Sequence, residues 1–234
     1  MPPFTGGALY VRRRAKSIFN AETKEGAVHF SAEDAAGLTE ILRWRRDVRH
    51  FRPTPLEAAT LARLQAAVDL SPSVGNSRPW RFLRVRSPAL RLRVAEIFER
   101  ANAEAAAGYE VNAREEYFAL KLAGLREAPE HLAVFTETAP AAGRGLGRQT
   151  MPQTLCYSTV MAVHTLWLAA RAENVGLGWV SILDPDAVRA LMDVPETWVL
   201  TAYLCLGHPA AMDDTPLLQR VGWQAGTPTD WPQV

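Results

Sequence analysis

The sequence predicts an α+β fold in which a small, mostly antiparallel central sheet is flanked by helices. Three observations predict it. Four short apolar runs read as strands and about six periodic stretches as helices, without the regular alternation of a doubly wound parallel sheet. The stretch 154–174 is apolar almost all round, a helix that must be enclosed on every side. The 234 residues, 48% of them hydrophobic, are enough for one packed domain, placed at 31–234. In a chain of this size a subunit interface is a natural enclosure for such a helix, so a homodimer is expected.

Taken in order, residues 1–30 show little periodicity and read as an N-terminal extension. Ser31 then offers an N-cap, with Glu33 and Asp34 in the first turn, to a helix reaching about Arg46. A second helix fits 56–70, bounded by Pro55 and Pro72. Residues 80–85 alternate apolar positions with Arg81 and Arg84, as a half-buried strand does. Residues 88–127 are helical with a break near Gly108, 132–135 form a short strand, and 140–147 are a loop. After the long apolar helix come a strand at 178–183, a short helix at 184–192 and a strand at 198–206.

Composition excludes several functions. A net charge of +1 and a pI near 7.9 give no overall field for nucleic acid or an anionic membrane. The longest apolar run, 155–170, is too short to span a bilayer and contains Ser158, Thr159, His164 and Thr165. The N-terminus lacks a basic-then-apolar secretory layout, and Cys156 and Cys205 form no CxxC pair, so a cytoplasmic protein with reduced thiols is expected. The histidines are scattered without HxxxH spacing, which predicts no metal site. Residues 143–148 (GRGLGR) lack the GxGxxG spacing of a dinucleotide loop and read as a mobile connection.

Three segments carry chemistry. Residues 43–52 hold five arginines and one aspartate, a local charge of +4 in a chain that totals +1. Arginine forks suit phosphate because they form bidentate, charge-assisted bonds; the same residues also suit a helix C-terminus and a solvated surface. Residues 71–80 (SPSVGNSRPW) place Ser73, Asn76 and Ser77 beside backbone fixed by Pro72, Gly75 and Pro79, a loop that can grip a ring edge or a phosphate or simply join a helix to a strand. In GWVSIL, 178–183, Ser181 is a lone hydroxyl without the context of a hydrolase nucleophile.

Together these segments resemble the FMN-binding signature of the nitroreductase superfamily. The likeness sharpens in RRDVRHF at 45–51, SPSVGNSRPWRF at 71–82, LKLAGLREAPEHLAVF at 120–135, RQTMPQTLCYS at 148–158 and WLAARAENVGLGWVSILDP at 167–185. These are similar to the BluB-type 5,6-dimethylbenzimidazole synthases, over roughly residues 38–223. General nitroreductases usually carry Ser where this chain has Asp47 and lack the GWVSILDP run. Position 78 is Arg where the wider superfamily often has Gln.

The resemblance implies a homodimer that binds FMN in clefts between protomers. Arg45, Arg46, Val48 and Arg49 would hold the phosphate and flavin edge, Ser73 and Asn76 the loop side, and Leu122 would cover the ring. Asp47 and Ser181 would be the catalytic pair. The implied reaction consumes reduced FMN with O2 and without a metal, and a separate flavin reductase supplies the reduced FMN. A carboxylate among arginines suits a base or orienting role rather than an acid role. Two other functions remain at this point: an NAD(P)H-dependent nitro or enone reductase that recycles FMN, and a non-catalytic flavin carrier.

Overall fold

The computed structural model describes residues 28–110, 114–117, 120 and 124–233. Local signals set the helix starts. Helix α1 (Ala32–Trp44) opens on a capping box: the Ser31 hydroxyl accepts the Asp34 N–H at 3.1 Å, and the Asp34 carboxylate accepts the Ser31 N–H at 2.8 Å. Helix α2 (Ala58–Val68) follows, and α3 (Pro88–Ala107) opens on Ser87 with Pro88 at its first position. The break foreseen near Gly108 is the end of α3.

Strands β1 (Trp80–Arg84), β2 (Glu130–Glu137), β3 (Gly176–Val180) and β4 (Trp198–Gly207) form one sheet of order β1-β2-β4-β3, every pairing antiparallel. Successive side chains alternate between its faces. Ala133, Phe135, Tyr203 and Cys205 pack with Val94 and Ile97 of α3 and with Val188 of α5 (Pro185–Leu191). Val134, Ala202, Leu204 and Leu206 pack with Leu64 and Val68 of α2 and with Val163 and Leu166 of α4 (Thr154–Ala172). The α+β architecture, with a small antiparallel sheet between helices, is the one expected.

Two strands differ from their sequence patterns. β2 begins at Glu130, because that carboxylate is paired with Arg84 and His131 is fully buried with Nδ1 3.0 Å from the Tyr203 hydroxyl. Burial pushes the His131 pKa down to about 4, so the imidazole is neutral inside the sheet. β3 occupies 176–180 rather than 178–183, and Ser181 lies just outside it. Pairing with β4 ends at Val180, since the chain must turn to place Asp184 as the N-cap of α5, where its carboxylate accepts the N–H groups of Asp186 and Ala187.

Helix α4 is left open on one side among the described residues. Leu155, Thr159, Ala162, Val163, Leu166 and Ala170 line its buried side, while Cys156, Tyr157, Val160, Met161 and His164 are exposed on the other. Helix α1 buries no residue at all. Val163 is fully buried against the sheet, so a charge placed there probes the core and not an interface. No helix among the described residues is long and apolar enough to cross a membrane.

Candidate functional site

The arginine-rich segment leaves α1 in extended backbone at Arg45 and runs along the open edge of β3. Asp47 forms a parallel bridge with Leu177, and the Val48 N–H donates to the Leu177 carbonyl at 3.0 Å. The approach is close enough to demand glycine on the strand: a Cβ on Gly178 would lie 2.1 Å from the Val48 carbonyl oxygen. Val48 sends its side chain into the core.

This docking fixes the Asp47 carboxylate at both oxygens. Oδ1 accepts the Trp179 N–H at 2.8 Å, and Oδ2 accepts Arg49 Nε at 2.8 Å. The three arginines, identical in sequence terms, are held in three ways. Arg49 is mostly buried and paired with Asp47. Arg46 turns to the C-terminal segment, where Nε donates to the Asp214 carbonyl at 2.9 Å, and Nη1 donates to the Arg45 carbonyl at 2.8 Å. Arg45 forms no ion pair among the described residues; its guanidinium carbon lies 4.7 Å from the centre of the Trp167 ring. Burial and the neighbouring Arg46 lower the Arg45 pKa, with Asp47 opposing, yet a guanidinium stays charged at any physiological pH.

A cavity of about 380 Å³ opens beside this segment, lined by Arg46, Asp47 and Arg49 and, from the far end of the chain, by Asp213, Thr215 and Arg220. Arg220 closes the short helix α6 (Leu217–Arg220) and pairs with Asp213 at 3.1 Å. Sequence reasoning missed these three residues. They lie more than 160 positions from Asp47 in no motif, and a helix of four residues has no readable period. Guanidinium groups outnumber carboxylates here, which suits a phosphate-bearing ligand.

The serine loop is elsewhere. The Ser73 hydroxyl accepts the Arg78 N–H at 3.0 Å, and the Val74 N–H donates to Ser158 Oγ of α4 at 3.0 Å. Arg78, the residue that departs from the superfamily pattern, folds back onto Asp69 at 3.2 Å and does not line the Asp47 cavity. Asn76 has a φ of 52° and lines an open cavity of about 700 Å³ shared with residues 143–147, Gln149 and Thr150. The loop read as a mobile connection is packed on this turn: a Cβ on Gly143 would meet Ser77 Cβ at 2.8 Å.

Ser158, which holds the loop, and Trp167, which holds Arg45, are nine residues apart on α4, about 13 Å along the helix axis. Within one chain Ser73 and Asn76 do not line the Asp47 cavity. Ser181 is exposed just beyond β3. Leu122 lies outside the described residues. Among the described residues no three His, Cys, Asp or Glu side chains gather as metal ligands.

The profile of the nitroreductase family matches residues 42–208. The chain is 56% identical over 204 residues to a 5,6-dimethylbenzimidazole synthase of Rhodobacter capsulatus, covering 87% of this chain and 99% of that one. It is 54% identical over 192 residues to the 5,6-dimethylbenzimidazole synthase of Rhodospirillum rubrum, covering 82% and 91%. Among solved structures, an oxidised iodotyrosine deiodinase bound to FMN and 3-iodo-L-tyrosine superposes with a TM-score of 0.64 at 22% identity, over 84% of this chain and 97% of that one. That likeness concerns the fold.

Proposed function

The chain belongs to the nitroreductase family and, within it, groups with the 5,6-dimethylbenzimidazole synthases, and from that premise we propose that it converts reduced FMN and O2 into 5,6-dimethylbenzimidazole, the lower ligand of vitamin B12. The observation that carries the reading is the 56% identity across 87% of the chain.

We assign the residues as follows. Arg45, with Arg49 and Arg46 behind it, holds the phosphate and flavin edge. Asp47, fixed at both oxygens, orients the reacting group or takes a proton from it. Ser181, exposed beside this edge of the sheet, donates a hydrogen bond. Reduced FMN supplies the carbon skeleton of the product and electrons for O2. The residues present suit such a ligand, because the Asp47 cavity is rich in guanidinium groups and Arg45 forms no ion pair among the described residues.

The arrangement also favours a homodimer. Ser73 and Asn76 reach the flavin of this reading only from a second copy, and the exposed apolar side of α4 offers the contact. Met161→Asp, at a position 42% exposed, should leave the fold intact and yield monomers by sedimentation, with FMN affinity reduced. A dimer that survives this change would remove α4 from the interface. A separate flavin reductase delivers the reduced FMN, and we place the reaction in the cytoplasm, where Cys156 and Cys205 stay free thiols.

The direct test is product analysis after aerobic incubation with chemically reduced FMN. Dimethylbenzimidazole should form by mass spectrometry and oxidised FMN should not be recovered in full. Complete FMN recovery with no benzimidazole would sink the reading. NAD(P)H consumed over many cycles would identify a reductase instead, and unchanged flavin a carrier.

A further inference from the structure

The indole of Trp167 touches the arginine segment at Arg45 and Arg46. Its ring face lies against the Arg45 guanidinium at 4.7 Å. Its Nε1–H donates to the Arg46 carbonyl at 3.3 Å. Its ring also packs on Trp179, with centroids 6.4 Å apart, and the Trp179 N–H is the donor that fixes Asp47 Oδ1. The backbone at 45–46 is thus pinned from α4 on one side and, through the Arg46 guanidinium on the Asp214 carbonyl, from the C-terminal segment on the other.

We propose that Trp167 is a positioning residue that presents Arg45 to the flavin phosphate and thereby sets a preference for FMN over riboflavin. The proposal rests on the flavin reading above. Its physical basis is the kind of contact that Arg45 makes. A carboxylate partner would neutralise the guanidinium and occupy its N–H donors. A ring face holds the cation by its quadrupole, leaves the charge in place and takes none of those donors. Stacking therefore restricts where Arg45 can go while keeping its fork available to an anion. Arg46 and Arg49, committed to the Asp214 carbonyl and to Asp47, are not presented in this way.

The test measures dissociation constants of FMN and riboflavin for the full chain and for Trp167→Leu, Trp167→Phe, Arg45→Ala and Trp167→Leu/Arg45→Ala. Trp167→Leu should weaken FMN about three- to thirtyfold, the range spanned by partly to fully desolvated cation–π contacts, and riboflavin less than about twofold. Trp167→Phe keeps a ring face and loses the N–H, so its FMN loss should be smaller. In the Arg45→Ala background Trp167→Leu should add nothing, because the group it positions is gone. Equal losses for both flavins, or effects that simply add in the double variant, would overturn the assignment and show Trp167 to be packing alone. If the Leu variant fails to fold, the Phe variant with and without Arg45→Ala decides by the same ratio. The two readings fail separately. Intact FMN selectivity with no benzimidazole formed would count against the reaction and leave Trp167 in place, whereas a chain that binds neither flavin overturns both.

Discussion

Asp47→Asn should lower dimethylbenzimidazole formation about 10²–10⁴-fold, the span typical of a lost acid–base group, while the variant still folds. The amide keeps the shape of the carboxylate but cannot satisfy both contacts. If its oxygen accepts the Trp179 N–H, its NH2 faces Arg49 Nε, and two donors oppose each other where a 2.8 Å bond now exists. Arg49 then loses this acceptor, and FMN affinity should fall modestly, by less than about tenfold. Arg49→Gln separates the two effects: it leaves the carboxylate in place and removes its charged partner. If Asp47 handles a proton, Asp47→Asn should be far more damaging to product yield than Arg49→Gln. Equal losses in the two variants would reduce Asp47 to an anchor for the arginine segment.

What the sequence reveals here is mostly what is local. The Ser31 capping box and the apolar face of α4 are set by residues within a turn or two of each other, so spacing alone reports them. β4 shows for the same reason, being a continuous apolar run. The start of β3 at Gly176 does not show, because that glycine reads as punctuation before the strand expected from Gly178. Gly176 and Gly178 are glycines for a tertiary reason: the Val48 side chain lies against the first and the Val48 carbonyl against the second. The arginine cluster stands out by charge, but the different holding of Arg45, Arg46 and Arg49 depends on Trp167, Asp214 and Asp47, two of which are more than 120 residues away from it. Arg220 and Asp213 enter the cavity from a segment without motif or period. The serine loop and the arginine segment looked like one site because both matched one family signature. In a single chain they are anchored on α4 at Ser158 and Trp167, about 13 Å apart along the helix axis, a separation that no linear pattern encodes.

The largest structural effect should follow from the smallest substitution, Gly178→Ala. One methyl group would sit 2.1 Å from the Val48 carbonyl oxygen, a backbone atom that no rotamer change can move aside. Either β3 leaves its register with β4 or the 47–48 segment lifts off the strand. The second route costs the Val48 N–H bond to Leu177 and the Trp179 N–H bond to Asp47, and it withdraws Val48 from the core. Clash and lost contacts together should destabilise the chain by about 3 kcal/mol or more, roughly 6–12 °C in melting temperature for a domain of this size. FMN binding should be lost even below the new melting point, because Asp47 and Arg49 no longer have a fixed place. Gly37→Ala is the matched control. It lies in α1, where an added Cβ meets nothing within 4 Å, and it should be neutral or stabilising by up to about 1 kcal/mol. If Gly178→Ala instead melts with the wild type and binds FMN equally well, the 47–48 segment does not lie against β3 in solution. The two-point hold on Asp47 that places it at the cavity would then have to be abandoned.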